Sequence, residues 1–267
     1  MDPYFRICQQ QSDWAKSQDI AVDDHGYTRT VDENLLQPMH PLTGEEFSKG
    51  AGDELTVKMR ALHSSSALVC NVFDYWRHQS DLHIAARACG MSTPVERISF
   101  ERTFPTGMRG TPPHLDVVLE GRGQLPWAIE SKFLEPYQPH KEMNPVYAEH
   151  AELWDELADC RALAQDLLSG HAHFQFLNAG QLLTHTIGLA RQFGPKGYVL
   201  LYLWYDVGGN DGTAHRRNIE EFASRVGTEV HFEHRTHQEL FFGMKGRLHE
   251  HQEYERYLGQ RYFSDAP

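Results

Sequence analysis

Helically spaced apolar residues alternate along this chain with short apolar runs that are typical of strands. Leu55, Met59 and Leu62 recur at intervals of three or four residues, which favours a helix. The nearly continuous apolar run over residues 197–205 favours a central strand that is covered on both faces. The pattern predicts, in chain order, helices over about 53–62, 65–76 and 81–89, strands over about 96–104, 114–119 and 127–134, helices over about 147–168 and 175–192, the strand over 197–205, a helix over about 215–226, a strand over 229–233 and further helices at the C-terminal end.

The first part of the chain has a different character. Residues 1–50 are polar and are interrupted by proline and glycine, which predicts an irregular N-terminal extension packed on the core. No repeat, low-complexity tract or linker divides the remainder, so residues 51–267 are expected to form a single domain.

Three charged side chains interrupt two of the predicted strands. Asp116 follows Leu115 in one apolar run, while Glu130 and Lys132 lie in the next. Burying an unpaired charge costs several kcal/mol, so such residues need charged partners or a metal ion. The positions of these charges therefore indicate a site rather than ordinary core.

The spacing of the two strands predicts how these charges meet. Glycines in the intervening segment favour a hairpin turn, and a hairpin that folds about Gly123 places Asp116 opposite Glu130. Opposed residues have Cβ atoms roughly 4.5–5.5 Å apart. Because side chains alternate along a strand, Lys132 shares the face of Glu130 and Ser131 points the other way.

Two adjacent carboxylates repel each other unless a cation lies between them. Mg²⁺ prefers oxygen ligands and keeps several waters, one of which can be activated to attack a phosphodiester. The pattern thus predicts a Mg²⁺ site, with Mn²⁺ as a substitute, in which Lys132 orients or deprotonates the water or stabilises charge on phosphorus. The other interpretation is a surface hairpin with cross-strand ion pairs worth only tenths of a kcal/mol.

Pro113-x-x-Asp116 followed by Glu130-Ser131-Lys132 resembles the motif of the PD-(D/E)XK nuclease superfamily. The segment over residues 63–73 looks like that of a bacterial, restriction-like subgroup. The predicted element order over residues 53–233 is a second resemblance. It implies an α/β (α+β) fold with a restriction-endonuclease-like core, in which a central mixed sheet in α-β-β-β-α-β order is flanked by helices.

The resemblance also implies roles for individual residues. Asp116 and Glu130 would bind catalytic Mg²⁺, Ser131 would lend its main-chain carbonyl, and Lys132 would assist the attacking water.

Two helical residues complete the set that the resemblance implies. A glutamate of the first core helix would join the metal site, and Glu54 is the candidate. In the other interpretation, Asp53 caps that helix and Glu54 complements its dipole. Gln181, which shares a helix face with His185, would lie close to the metal or to the DNA backbone. The alternative for Gln181 is an ordinary polar helix face.

Net charge bears on the expected substrate. The chain carries a formal charge of −12, which argues against a surface coated with basic residues for DNA binding. Arg97, Arg102, Arg109 and Arg122 lie near the site strands and either line a local groove or pair with surface acids. A homodimer or a partner protein could supply the basic surface that this chain lacks.

The expected function is a Mg²⁺-dependent, endonuclease-like hydrolase acting on DNA. The alternatives are a non-catalytic nucleic-acid-binding or assembly module on the same fold, and a metal phosphoesterase for small substrates. Four dispersed cysteines without a CxxC pair argue against thiolate-bound zinc and favour a reducing compartment. The chain has neither a secretory layout at its start nor an apolar run of about 18 residues, so a cytoplasmic protein without a membrane partner is expected.

Overall fold

A five-stranded mixed sheet lies at the centre of the computed structural model, which describes residues 2–50, 55–92 and 94–263. The strands stand side by side in chain order. The first three are antiparallel, and the fourth and fifth run parallel to the third. This arrangement confirms the predicted fold class. The strands are β1 (Arg97–Thr103), β2 (His114–Glu120), β3 (Trp127–Lys132), β4 (Val199–Trp204) and β5 (His231–Thr236).

Helices cover both faces of the sheet. A π-helical segment, Cys70–Asp74, joins α3 to α4 into one continuous helix, as the apolar pattern predicts. None of the helices in the described part of the chain combines the length and apolar character that a membrane crossing requires. The helices are α1 (Pro3–Ser17), α2 (Pro41–Lys49), α3 (Ser65–Val69), α4 (Tyr75–Arg77), α5 (His83–Cys89), α6 (Val146–Glu149), α7 (Ala158–Ser169), α8 (Ala179–Phe193), α9 (Gly209–Val226), α10 (His237–Lys245) and α11 (Gln252–Arg261).

Alternation along the strands separates two apolar layers. Val117 and Ile129 point towards a core built with α3, α5, α10 and α11. Val118 and Ala128 point towards a second core built with α7, α8 and α9. All six residues of β4 are buried, which confirms that this strand is central. Glu130, two residues after Ala128, therefore belongs to the face that α8 covers.

The prediction of an irregular N-terminal segment is wrong, because α1 and α2 are regular helices. Asp2 caps α1 by accepting a hydrogen bond from the backbone N–H of Tyr4 at 2.8 Å. The apolar spacing of α1 is hard to recognise because a buried glutamine, Gln11, takes a position on its inner face between Ile7 and Trp14. The division of the chain at residue 50 stays a prediction.

Two predicted helices are also corrected. Over residues 55–62 the chain forms only one 3-10 turn, Lys58–Arg60, in which Met59 is buried; Leu62 is also buried, and Leu55 is partly buried. The helix predicted over residues 147–168 is broken into α6, a 3-10 turn at Ala151–Trp154 and α7. Glu156 has a φ of +59°, a left-handed conformation that no helix can continue through.

A buried arginine joins the N-terminal segment to the last helix. Arg261 is fully buried, and its guanidinium donates to Gln11 Oε1 at 3.0 Å and to the carbonyl oxygens of Asn34 at 2.8 Å and Leu62 at 3.1 Å. It also stacks 4.3 Å above the Trp14 ring. One side chain therefore satisfies acceptors from three separate parts of the chain.

Replacing Arg261 with methionine is expected to lower the free energy of unfolding by about 3 kcal/mol or more, because several buried acceptors lose their donor at once. Urea denaturation followed by circular dichroism measures this loss. Arg256→Met, an exposed arginine of the same helix, is the matched control and should stay within about 0.5 kcal/mol of wild type. Equal effects of the two substitutions would contradict the role given to Arg261.

Candidate functional site

The hairpin of β2 and β3 brings the predicted charged residues together. Val117 pairs with Ile129, and continuing that register places Asp116 opposite Glu130. The backbone N–H of Ser131 donates to Asp116 Oδ2 at 2.6 Å, and Lys132 Nζ lies 2.5 Å from Glu130 Oε1. The geometry follows the spacing argument, whereas the catalytic and metal-binding roles stay predictions.

The Ser131 side chain points away from this group, as alternation requires. Its Oγ lies 3.0 Å from Nε2 of His237, and both residues are buried on the opposite face of the sheet. Burial lowers the pKa of His237 to about 3, so this imidazole is neutral. Ser131 can therefore reach the charged group only through its main chain.

A cavity of about 560 Å³ opens on the charged residues. Asp116, Glu130 and Lys132 line it together with Gln181, so the helix residue proposed for the site does face the same space. Asn178 caps α8 by accepting the backbone N–H of Gln181 at 3.0 Å, which fixes where this helix begins beside the cavity.

α8 supplies a second contact to the acidic pair. His185 Nε2 lies 3.0 Å from Glu130 Oε2, and each of these two side chains is only 3% exposed. The Glu130 carboxylate is therefore held between an ammonium group on one oxygen and an imidazole on the other.

The pKa values of the two carboxylates are shifted in opposite directions. Removal from bulk water raises the pKa of Asp116 well above its ordinary value, and the charges of Glu130 and Glu101 raise it further. Burial also acts to raise the pKa of Glu130, but Lys132 and His185 outweigh it and lower that pKa to about 2. Burial opposes the charge of Lys132, yet the attraction of Glu130 raises the pKa of its ammonium. Lys132 and His185 thus offset the charge of Glu130, whereas Asp116 lacks a comparable cationic partner among the described residues.

A third acid, Glu101, also lines the cavity. Phe100 pairs with Val117 and Arg102 with Leu115, a register that puts Glu101 opposite Asp116. Glu101 has a φ of +49°, a left-handed conformation that costs a residue with a side chain about 1–2 kcal/mol. Backbone outliers of this kind cluster at functional sites.

Glu101 and His185 were not among the residues assigned to the site from sequence. Alternation along β1 predicts the face of Glu101, but not the register against β2 that brings it opposite Asp116. His185 follows Gln181 by one helical turn, so the position of one predicts that of the other.

The predicted helix ligand Glu54, like Asp53, lies outside the described residues. Across ranges 2–50, 55–92 and 94–263, no group of three or more His, Cys, Asp or Glu side chains is arranged to hold a metal ion. Mg²⁺ keeps several waters and needs only one or two protein carboxylates. The carboxylates of Asp116 and Glu130 are hard oxygen donors and fit that ion. The charge of Asp116 in particular can be offset by a proton or a cation.

The arginines near the strands do not form the groove considered from the sequence. Arg102 Nη1 lies 2.9 Å from Glu120 Oε1, and Arg97 also pairs with Glu120, at the far end of β2. Arg109 and Arg122 are exposed. The positively charged groups that do line the cavity are lysines, namely Lys58, Lys132 and Lys141.

A five-stranded mixed sheet in this order, flanked by helices, is consistent with a restriction-endonuclease-like core. The family model described as restriction endonuclease associating with ARP matches residues 9–263, and the chain belongs to this family. Neither the curated proteins nor the solved structures contain a match. The family match supports a restriction-endonuclease-like protein, and the finer PD-(D/E)XK assignment stays a prediction.

The two carboxylates should respond oppositely to neutralisation when metal is removed with EDTA. At pH 7, Asp116→Asn is expected to raise the free energy of unfolding, because the raised pKa of Asp116 means that its charged form opposes folding. This gain should disappear as the pH falls below about 4, where Asp116 is protonated in both states. Urea denaturation at several pH values measures the effect.

Glu130→Gln is the matched comparison and should lower the free energy of unfolding at pH 7 by about 2 kcal/mol or more, because Lys132 loses its partner. The lowered pKa of Glu130 means that this loss shrinks as the pH falls from about 4.5 towards 2. If both variants change the free energy of unfolding in the same direction, the pKa values of the two carboxylates are not shifted in opposite directions.

Proposed function

We propose that the protein is a Mg²⁺-dependent endonuclease of the PD-(D/E)XK type that hydrolyses phosphodiester bonds of DNA. The observation that carries this proposal is the presence of Asp116, Glu130 and Lys132 at one cavity, with Asp116 as an excess carboxylate. Membership of a restriction-endonuclease family supports the reaction class.

The metal would be held by oxygen atoms of three residues. These are the carboxylates of Asp116 and Glu130 and the main-chain carbonyl of Ser131, with Glu54 as a further candidate. Bound Mg²⁺, or Mn²⁺ in its place, supplies an activated water and neutralises charge on the scissile phosphate.

Lys132 acts on the reacting group as a cation. The attraction of Glu130 keeps its ammonium charged, which favours orienting the attacking water and stabilising negative charge on phosphorus. The water oxygen would form the new bond to phosphorus while the bond to the leaving oxygen breaks in line, and the proton that the water loses would pass to solvent. Gln181 would hold the phosphate or the water through its side-chain amide.

The negatively charged chain needs local positive groups to hold DNA. Lys58 and Lys141 line the same cavity as the acidic pair, and Lys141 would meet a flanking phosphate. The family description names an association with ARP. We propose that this chain also acts with such a partner, or as a homodimer, and gains further basic surface from it.

A second candidate function is hydrolysis of small phosphates by the same metal chemistry. Glu101 and Glu135 also line the cavity and add carboxylates to it. Such negative charge repels a polymer with many phosphates more strongly than a small substrate.

Glu130→Ala and Lys132→Ala should each reduce plasmid cleavage about a hundredfold or more, since each removes a group that acts on the transition state. Cleavage of plasmid, linear and single-stranded DNA is measured with Mg²⁺, with Mn²⁺ and with EDTA, which should abolish it. Glu120→Gln removes an acid from the other end of β2 and should cleave like wild type.

Two results would count against the endonuclease. Metal binding without cleavage of any polymer, together with hydrolysis of a small phosphodiester, would establish the second candidate. Metal binding without hydrolysis of either substrate would favour a non-catalytic module on this fold.

Lys141→Ala should weaken DNA binding several-fold and reduce the slope of log K against log salt by about 0.9, the value for one lost phosphate contact. Binding is measured by fluorescence anisotropy with Mg²⁺ in a Lys132→Ala background, which slows cleavage. Lys196→Ala is the control, because this exposed lysine precedes the start of β4, where Val199 pairs with Trp127 at the end of β3 away from Lys132. Equal losses for the two lysines would mean that DNA does not enter the cavity.

A further inference from the structure

We propose that His185 is a positioning residue that orients the Glu130 carboxylate for metal binding by donating from Nε2 to Oε2. This inference rests on the proposed function and adds a residue that neither the motif nor the family description assigns.

The first support is geometric. His185 Nε2 lies 3.0 Å from Glu130 Oε2, while Lys132 Nζ lies 2.5 Å from the other oxygen, Oε1. A carboxylate that is contacted at both oxygens cannot rotate freely about its terminal bond. Each oxygen has two lone-pair directions, so an oxygen that accepts one donor can still bind a cation.

The second support is burial. His185 is only 3% exposed, so water does not satisfy its ring nitrogens. Within the described residues neither nitrogen has a well-aligned hydrogen bond, and Glu130 is the charged group in contact with the ring. Contacts of catalytic groups are often poorly aligned before ligand binds and tighten in the complex.

The chemistry of the pair fixes which nitrogen carries the proton. Glu130 is ionised and can only accept, so Nε2 of His185 must be the donor. An imidazole that carries a proton on Nε2 meets this requirement. Removing a group that hydrogen-bonds to a metal ligand, without touching the metal itself, usually weakens metal affinity 10–100-fold.

Side chains that mimic one nitrogen at a time provide the test. In His185→Gln the amide nitrogen takes roughly the place of Nε2, whereas in His185→Asn it takes roughly the place of Nδ1. His185→Leu fills the volume and donates nothing. Mn²⁺ binding to the DNA-free protein is measured by electron paramagnetic resonance, and the melting temperature in EDTA shows that each variant folds.

The Leu and Asn variants should bind Mn²⁺ about 10–100-fold more weakly than wild type, and the Gln variant within about threefold. In plasmid cleavage, the Mg²⁺ concentration that gives the half-maximal rate should rise more for the Leu and Asn variants than for the Gln variant. This rise should be a larger fold-change than the fall in the rate at saturating Mg²⁺. A purely structural role would not separate Gln from Asn in this way. If the Leu variant does not fold, the comparison of Gln with Asn decides.

Two negative outcomes are distinguishable. If wild type binds Mn²⁺ and cleaves DNA but the variants bind Mn²⁺ equally well, or if Asn and Gln behave alike, the role of His185 is overturned and the endonuclease stands. If wild type binds no Mn²⁺ and cleaves nothing, the proposed function fails and the role of His185 fails with it.

Discussion

The repulsion between Asp116 and Glu130 is the constraint around which this site is organised. The two residues oppose each other in a hairpin whose inner residues are buried, and the Ser131 backbone N–H fixes the Asp116 carboxylate from one side. Moving the charges apart would require the strands to slip, and a one-residue slip would turn every core side chain of β3 to the wrong face. The site must therefore offset the charge where it stands. The raised pKa of Asp116 favours a proton there, and a divalent cation would serve the same purpose.

Among the described residues, the surrounding side chains do not neutralise both carboxylates, which favours binding of a cation. Lys132 and His185 stabilise the charge of Glu130, but Glu101 adds a further acid opposite Asp116 and takes a left-handed backbone conformation to do so. Its backbone conformation and its repulsion with Asp116 both oppose folding, although its carboxylate also contacts His114, whose Nδ1 lies 3.8 Å from Oε2. The apolar layers on either side of the sheet, and the Arg261 contacts at its periphery, supply the stability that tolerates them. A functional site often contains strained or repelling groups that lower the stability of the fold, and packing elsewhere in the protein then compensates for that loss.

The sequence predicted those features that depend on local order. Two glycines and strict alternation were enough to place Asp116 opposite Glu130, and an unbroken apolar run identified β4. It did not predict α1, because the inner face of that helix includes Gln11, whose side chain hydrogen-bonds to Arg261 some 250 residues away. The break before α7 depends on the conformation of one glutamate, Glu156. The approach of His185 to Glu130 depends on how α8 packs across the sheet, which spacing within either element does not determine.

The negative charge of the whole chain conflicts less with DNA cleavage than its size suggests. At physiological ionic strength the Debye length is about 8 Å, so exposed acids far from the cavity contribute little to the potential there. Glu120, for example, lies at the opposite end of β2 and is already paired with Arg97 and Arg102. The potential that a phosphate meets is set by the groups lining the cavity, where Lys132 and Lys141 stand beside the acids and a bound Mg²⁺ would add two positive charges. The net charge should instead slow the first encounter with DNA, and a basic partner would remedy that step.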